Sequence, residues 1–204
     1  MNTHSKNIAI LVVILVIAFL GPFSGNMILP MFRSLRESYG IGAFMLGLSI
    51  TMFMIPFSIF QLFSGALSDA IYGRKKIIVF GMTLYGLGSF AASISPNIYL
   101  FLTFRVLQGI GYGLVLPISM ALVGDLFKKS MRGKIMGLTA IATTLGNILG
   151  PIFGGFIVSI SWRLGFIVVA ILSLVFAIHV QLTKWCERLG YRSVSYTHLT
   201  LPTN

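Results

Sequence analysis

Four polar residues in one apolar stretch carry the first chemical signal of this chain: Arg105, Gln108, Tyr112 and Ser119. At about 100° per residue they fall within about 60° of one another on a helical wheel, a polar stripe on an otherwise apolar helix. Arg105 lies about eight residues into the stretch, roughly 12 Å along a helix axis. A charge at a bilayer centre costs on the order of 3 kcal/mol even on a lenient insertion scale. The stripe is therefore expected to face a hydrated cavity. The alternative is a structural arginine bonded to carbonyls of neighbouring helices.

The acids are as informative by their placement. They are Glu37, Asp69, Asp125 and Glu187, and none lies deep in an apolar stretch. Proton exchange needs a group that loads and releases a proton inside a membrane cavity. His179 could titrate, but its place near the end of the last apolar stretch puts it at an interface. Three routes stay open: Arg105 tunes an acid outside this sequence, coupling uses Asp69 or Asp125, or no proton is exchanged. No nucleophile–base constellation and no metal-ligand cluster occurs, so an enzyme is not expected and no metal or cofactor is implied. Asn26 and Asn147 are candidates for a substrate cavity, because buried amides need partners. Met27, Met31, Met52 and Met54 are candidates for an adaptable apolar pocket. The single cysteine, Cys186, excludes an intrachain disulfide.

The elements that must position these residues follow from composition. The chain has 204 residues, 56% of them hydrophobic and 9% charged, with a mean hydropathy of +0.95. A soluble domain uses about 25% charged residues, so this is an all-α, multi-pass membrane protein. Six spans are read at 8–31, 44–67, 77–94, 98–123, 135–160 and 164–182, each long enough to cross the hydrocarbon core. Of the fifteen Lys and Arg, eleven fall before the first span or after the second, fourth and sixth. Only Arg33, Arg36 and Arg163 occupy the other loops. The positive-inside rule then puts the N-terminus in the cytoplasm, in a plasma or inner membrane. The net charge of +11 is thus a lipid-facing asymmetry; no nucleic-acid partner is implied. The first span follows Lys6 but is too long for a signal peptide, and five more spans follow it. Trp162 and Trp185 bracket the sixth span as interfacial anchors.

Short loops make residues 1–184 one six-helix bundle. Residues 185–204 read as a cytoplasmic, disordered tail. The run from Val194 to Pro202 resembles translated sequencing-adaptor read-through, which would make about the last twelve residues foreign to the gene. Met27-Ile28-Leu29-Pro30 echoes Leu114-Val115-Leu116-Pro117, which suits two three-helix repeats of inverted topology.

The fifth span is unusual for its glycines. Gly137, Gly146, Gly150, Gly154 and Gly155 share it with Pro151. Glycine weakens a helix in water, whereas lipid holds the helix together because unpaired backbone groups are costly there. Gly146, Gly150 and Gly154 line one face and Gly137 and Gly155 the opposite one, so both sides can accept a neighbouring helix. Pro151 has no N–H for the carbonyl of Asn147 and is expected to bend the helix.

Three motifs resemble the major facilitator superfamily. The glycine pattern of the fifth span is similar, at every spacing, to the signature of its drug:proton antiporters. Gly65-Ala66-Leu67-Ser68-Asp69-Ala70-Ile71-Tyr72-Gly73-Arg74-Lys75-Lys76 resembles the superfamily's loop after the second helix. Arg105-Val106-Leu107-Gln108-Gly109-Ile110-Gly111 resembles its fourth-helix motif. The resemblance implies the N-terminal six-helix half, a 3+3 inverted repeat, of a secondary transporter. It would export drug-like or amphiphilic small molecules by alternating access, driven by the proton gradient without any cofactor. Its partners would be the lipid bilayer, substrate and protons, and a missing C-terminal half of six helices. It implies a role for Arg105 in substrate binding or proton coupling. It also implies a charge cluster of Asp69, Arg74 and Asp125 that stabilises the outward-facing state, with Gly65 admitting a close helix. This sequence departs from the pattern by one extra residue between Asp69 and Gly73 and by Ala70 at a usually basic position, so the turn at Gly73 would aim Arg74 differently. The alternatives are a major facilitator exporter of a specific metabolite, such as a sugar or amino acid, and a truncated fragment inactive on its own.

Overall fold

The computed structural model describes residues 3–67 and 73–182. Ser68, Asp69, Trp185, Cys186, Glu187 and the Ser/Thr-rich tail lie outside the described residues. The elements are α1 (Thr3–Met27), a 3-10 turn (Leu29–Met31), α2 (Phe32–Tyr39), α3 (Ala43–Leu67), α4 (Arg74–Ser93), α5 (Ile98–Leu126), α6 (Lys129–Val158) and α7 (Trp162–Leu182). Six helical stretches among the described residues are long and apolar enough to cross a membrane. The six spans read from hydropathy correspond to α1, α3, α4, α5, α6 and α7.

The first span does not run unbroken to Met31. Pro30 has no N–H for the carbonyl of Asn26, so the α-helix ends at Met27 and tightens into the 3-10 turn. The polar segment after it forms α2, which hydropathy alone does not mark. It stops at Gly40, whose φ of 63° is left-handed and favours glycine. α6 begins at Lys129, six residues before the apolar run, because basic side chains interrupt hydropathy without interrupting a helix. At the start of α5, Asn97 accepts a hydrogen bond from the Leu100 amide at 2.9 Å, a side-chain N-cap.

Three spans per unit is an odd number, so the second three necessarily cross the membrane in the inverted sense. The packing follows the repeat in part. The largest interfaces are α3–α5, α1–α6, α4–α5 and α4–α7. Exchanging the first three spans for the last three converts α3–α5 into α6–α1 and returns α4–α7 to itself, whereas α4–α5 would map onto α1–α7, which is only a small interface. The helix prolines agree: Pro22 and Pro117 are 95 residues apart, as are Pro56 and Pro151. The Met27–Pro30 echo is a different register, since Pro30 lies outside α1 while Pro117 lies well inside α5. It does not mark the repeat.

α5 is the most enclosed helix, and α3 and α6 are the least. Trp162 corrects another expectation. It begins α7 at the end of the span but is buried in the bundle at 4% exposure rather than facing lipid, edge-on to Phe101 and Phe166. Its Nε1 donates to Ser38 Oγ of α2 at 3.0 Å. Tyr39 of α2 adds a hydroxyl–hydroxyl bond to Ser95 at 2.7 Å. The aromatic cluster buries the ring and still satisfies the indole N–H. Met27 and Met31 are likewise fully buried core residues rather than a pocket wall.

Candidate functional site: a buried arginine and its helix contacts

Arg105 is 1% exposed. Its Nε donates to the Ser49 carbonyl of α3 at 2.9 Å, and its Nη1 donates to Gln108 Oε1 at 2.8 Å. Gln108 Nε2 donates to Ser89 Oγ of α4 at 2.6 Å, and that hydroxyl donates to the Tyr85 carbonyl at 2.8 Å. The guanidinium also lies over the Phe53 ring, 4.7 Å from its centroid, a favourable cation–π placement. Arg105 Nη2 is buried with no hydrogen-bond partner.

The stripe therefore does not face a hydrated cavity in this structure. Gln108, Tyr112 and Ser119 are also buried. Tyr112 donates to the Ile17 carbonyl of α1 at 3.2 Å, and Ser119 to the Leu116 carbonyl of its own helix at 2.6 Å. The stripe turns inward because α5 is surrounded by α1, α3 and α4, and their carbonyls and hydroxyls replace water. Ser49, Ser89, Ser24 and Tyr85 are the residues that sequence reasoning missed. Ser24 Oγ bonds the Tyr85 hydroxyl. The available signal was spacing: Tyr85 and Ser89 are four apart, on one face of α4.

Asn26 and Asn147 meet across α1 and α6, with Asn26 Nδ2 donating to Asn147 Oδ1 at 2.9 Å. Asn147 is exposed rather than buried. At the basic end of the bundle, Arg74 forms an ion pair with Asp125. Asp69, the third expected member of this cluster, lies outside the described residues. Gly73, with φ 71° and ψ 145°, takes a conformation that essentially only glycine tolerates. It turns the chain so that Arg74, the first residue of α4, reaches the last turn of α5.

The glycines divide. Gly146, Gly150 and Gly154 press against the carbonyls of Phe19, Phe23 and Met27 in α1, and Gly109 against that of Phe53 in α3. Gly137, Gly155 and Gly65 would each meet nothing with a Cβ added. Among the described residues, therefore, a close neighbouring helix meets α6 on its Gly146–Gly154 side and not on its Gly137–Gly155 side. α6 remains helical through Pro151.

A six-helix membrane bundle built on an inverted repeat, with a buried arginine on its central helix, defines one half of a transporter fold. The chain belongs to the Major Facilitator Superfamily, whose family model matches residues 14–192. It is 31% identical over 154 residues to the Chloramphenicol resistance protein CraA of Acinetobacter baumannii, covering 74% of this chain and 37% of that protein. It is 40% identical over 100 residues to Multidrug resistance protein 3 of Bacillus subtilis, covering 48% of this chain and 19% of that one. Among solved structures it resembles a D-xylose-proton symporter with a TM-score of 0.78 and 20% identity, over 90% of this chain and 50% of that one. The chain thus spans about half or less of each. Family and fold are those of transporters rather than of enzymes.

Proposed function

We propose that this chain is the N-terminal half of a secondary transporter of the plasma or inner membrane that exports drug-like or amphiphilic small molecules in exchange for protons. The observation that carries the reading is the α1–α6 interface. Three glycines at four-residue spacing bring the two helices into backbone contact, while the Gly137–Gly155 face of α6 stays open to a helix from the second half. Resistance relatives support the choice of cargo. In this reading Arg105 and Gln108 couple proton or substrate binding to movement. Asp69, Arg74 and Asp125 latch the cytoplasmic end, and Asn26 and Asn147 belong to the substrate path, whereas Tyr112 and Ser119, buried between helices, do not line it in this structure.

Export of one metabolite is a second reading, favoured by the 28% identity to Citrate exporter 1 of Aspergillus niger. Dye efflux from cells expressing the full-length protein separates the two. Efflux that stops on adding a proton uncoupler supports proton-driven drug export. Efflux indifferent to the uncoupler rejects antiport, and absence of dye efflux with intact citrate export selects the second reading.

A further inference from the structure

The Asn26–Asn147 pair has a fixed orientation with chemical consequences. Asn26 Nδ2 donates to the Pro22 carbonyl at 2.9 Å and to Asn147 Oδ1 at 2.9 Å. A carbonyl can only accept, so the amide group facing Pro22 must be the NH2, and its second hydrogen then requires an oxygen on Asn147. Both hydrogens of Asn26 are used. One acceptor, Asn26 Oδ1, and one donor group, Asn147 Nδ2, remain, and the pair is exposed. A second acceptor lies beside them. Pro151 has no N–H for the main-chain carbonyl of Asn147, which is left without its helical donor. Phe19, two turns before Asn26 on the same face of α1, is half-buried and stacked on Phe23 at 5.2 Å. Gly25 leaves open space beside Asn26.

The charges argue in the same direction. Among the described residues, the one charged side chain well inside an apolar helix is a cation, Arg105. The two described acids, Glu37 and Asp125, are paired with Arg33 and Arg74. Among the described residues a permanent cation would find no unpaired countercharge, and it has no N–H for the acceptors, so its desolvation would go unopposed by them.

We propose that the Asn26–Asn147 pair is a ligand subsite for uncharged molecules carrying an amide-like donor and acceptor on an apolar body, and that it excludes permanent cations. The proposal rests on reading the α1–α6 face as part of the transport cavity. The ligand's N–H or O–H donates to Asn26 Oδ1 or the Asn147 carbonyl, its acceptor takes a hydrogen from Asn147 Nδ2, and its apolar part lies along Phe19.

The test is equilibrium binding to the purified full-length protein in lipid nanodiscs, with chloramphenicol as the neutral amide and tetraphenylphosphonium as the cation. Chloramphenicol is expected to bind at least about tenfold more tightly, and Asn147→Leu to weaken it by about tenfold. Asn147→Asp keeps an oxygen for Asn26, so the pair and the fold survive; it is expected to lose chloramphenicol and gain the cation. Equal binding of the two probes, absence of chloramphenicol binding, or an Asn147→Asp protein with unchanged preference overturns the subsite. Cellular efflux is measured in parallel. Binding without export overturns the transport reading and leaves the subsite standing, whereas export insensitive to both substitutions overturns the subsite alone.

Discussion

Gly150 of α6 lies against the main-chain carbonyl of Phe23 in α1, so close that a Cβ at position 150 would collide with it. The neighbouring atom is backbone and cannot rotate away. Gly150→Val is therefore expected to force α1 and α6 apart and to cost about 1–3 kcal/mol, the usual penalty of overpacking. In this chain without the second half, Gly155→Val, on the open face, is expected to leave stability within about 0.5 kcal/mol. Thermal unfolding of both variants in detergent, followed by fluorescence, measures the difference. Equal midpoints would show that the close approach contributes nothing.

That contrast also shows what sequence periodicity conveys. Spacing alone put Gly146, Gly150 and Gly154 on one face and Gly137 and Gly155 on another, but it could not say which face a given chain covers. Number, order and type of the six spans were legible because twenty-residue apolar runs have few alternatives in lipid. α2 was not, since a two-turn helix takes its stability from tertiary partners such as Ser95 and Trp162 that lie far away in sequence. Arg105 was legible as an anomaly. Bonding to a neighbouring helix's carbonyl was one of its two readings, and it is the one found here; sequence could not choose it, because the Ser49 carbonyl carries no side-chain signature.

Arg74 and Asp125 join the first turn of α4 to the last turn of α5. Both are partly exposed, so the pair contributes no more than about 1 kcal/mol to stability. The proposed latch places its effect instead in the balance between transporter states. Asp125→Asn is expected to leave the unfolding midpoint nearly unchanged and to alter the rate of transport. The exchanged pair, Arg74→Asp with Asp125→Arg, should restore part of the rate if the contact itself matters. Identical rates in the wild type and Asp125→Asn would remove the latch from the mechanism.

Trp162 closes the other end of the bundle. Truncation to alanine empties a site shared with Tyr39, Phe101 and Phe166 and removes the indole bond to Ser38. A loss of about 3–5 kcal/mol is expected. Tyr39→Phe removes only the bonds to Ser95 and should cost about 1 kcal/mol. Limited proteolysis in the α2 loop should accelerate in the same order. An unaltered cleavage rate in Trp162→Ala would mean that α2 is held by something else.

Arg105 allows the sharpest separation of stability from function. Its Nε and Nη1 are bonded, its Nη2 is not, and no carboxylate among the described residues neutralises it. If the charge were there only to hold α3 and α5 together, supplying a counterion would be harmless. Gln108→Glu supplies one at the position of the existing 2.8 Å bond; it gives up the donor to Ser89, whose hydroxyl turns from the Tyr85 carbonyl to donate to the new carboxylate, and a charge-assisted bond is roughly twice as strong as a neutral one. The expected outcome is a raised unfolding midpoint together with a fall in efflux of at least about tenfold, because under the proposed coupling role a saturated arginine no longer responds to substrate or proton. Arg105→Ala should abolish efflux while membrane insertion persists, and Arg105→Lys should not rescue it, since an ammonium lacks the fork that reaches both Ser49 and Gln108. Full transport by Gln108→Glu, measured as uncoupler-sensitive efflux in cells with matched protein levels, would make the arginine a structural tie between helices. A stabilised but inactive variant would show that its unneutralised charge is the working part.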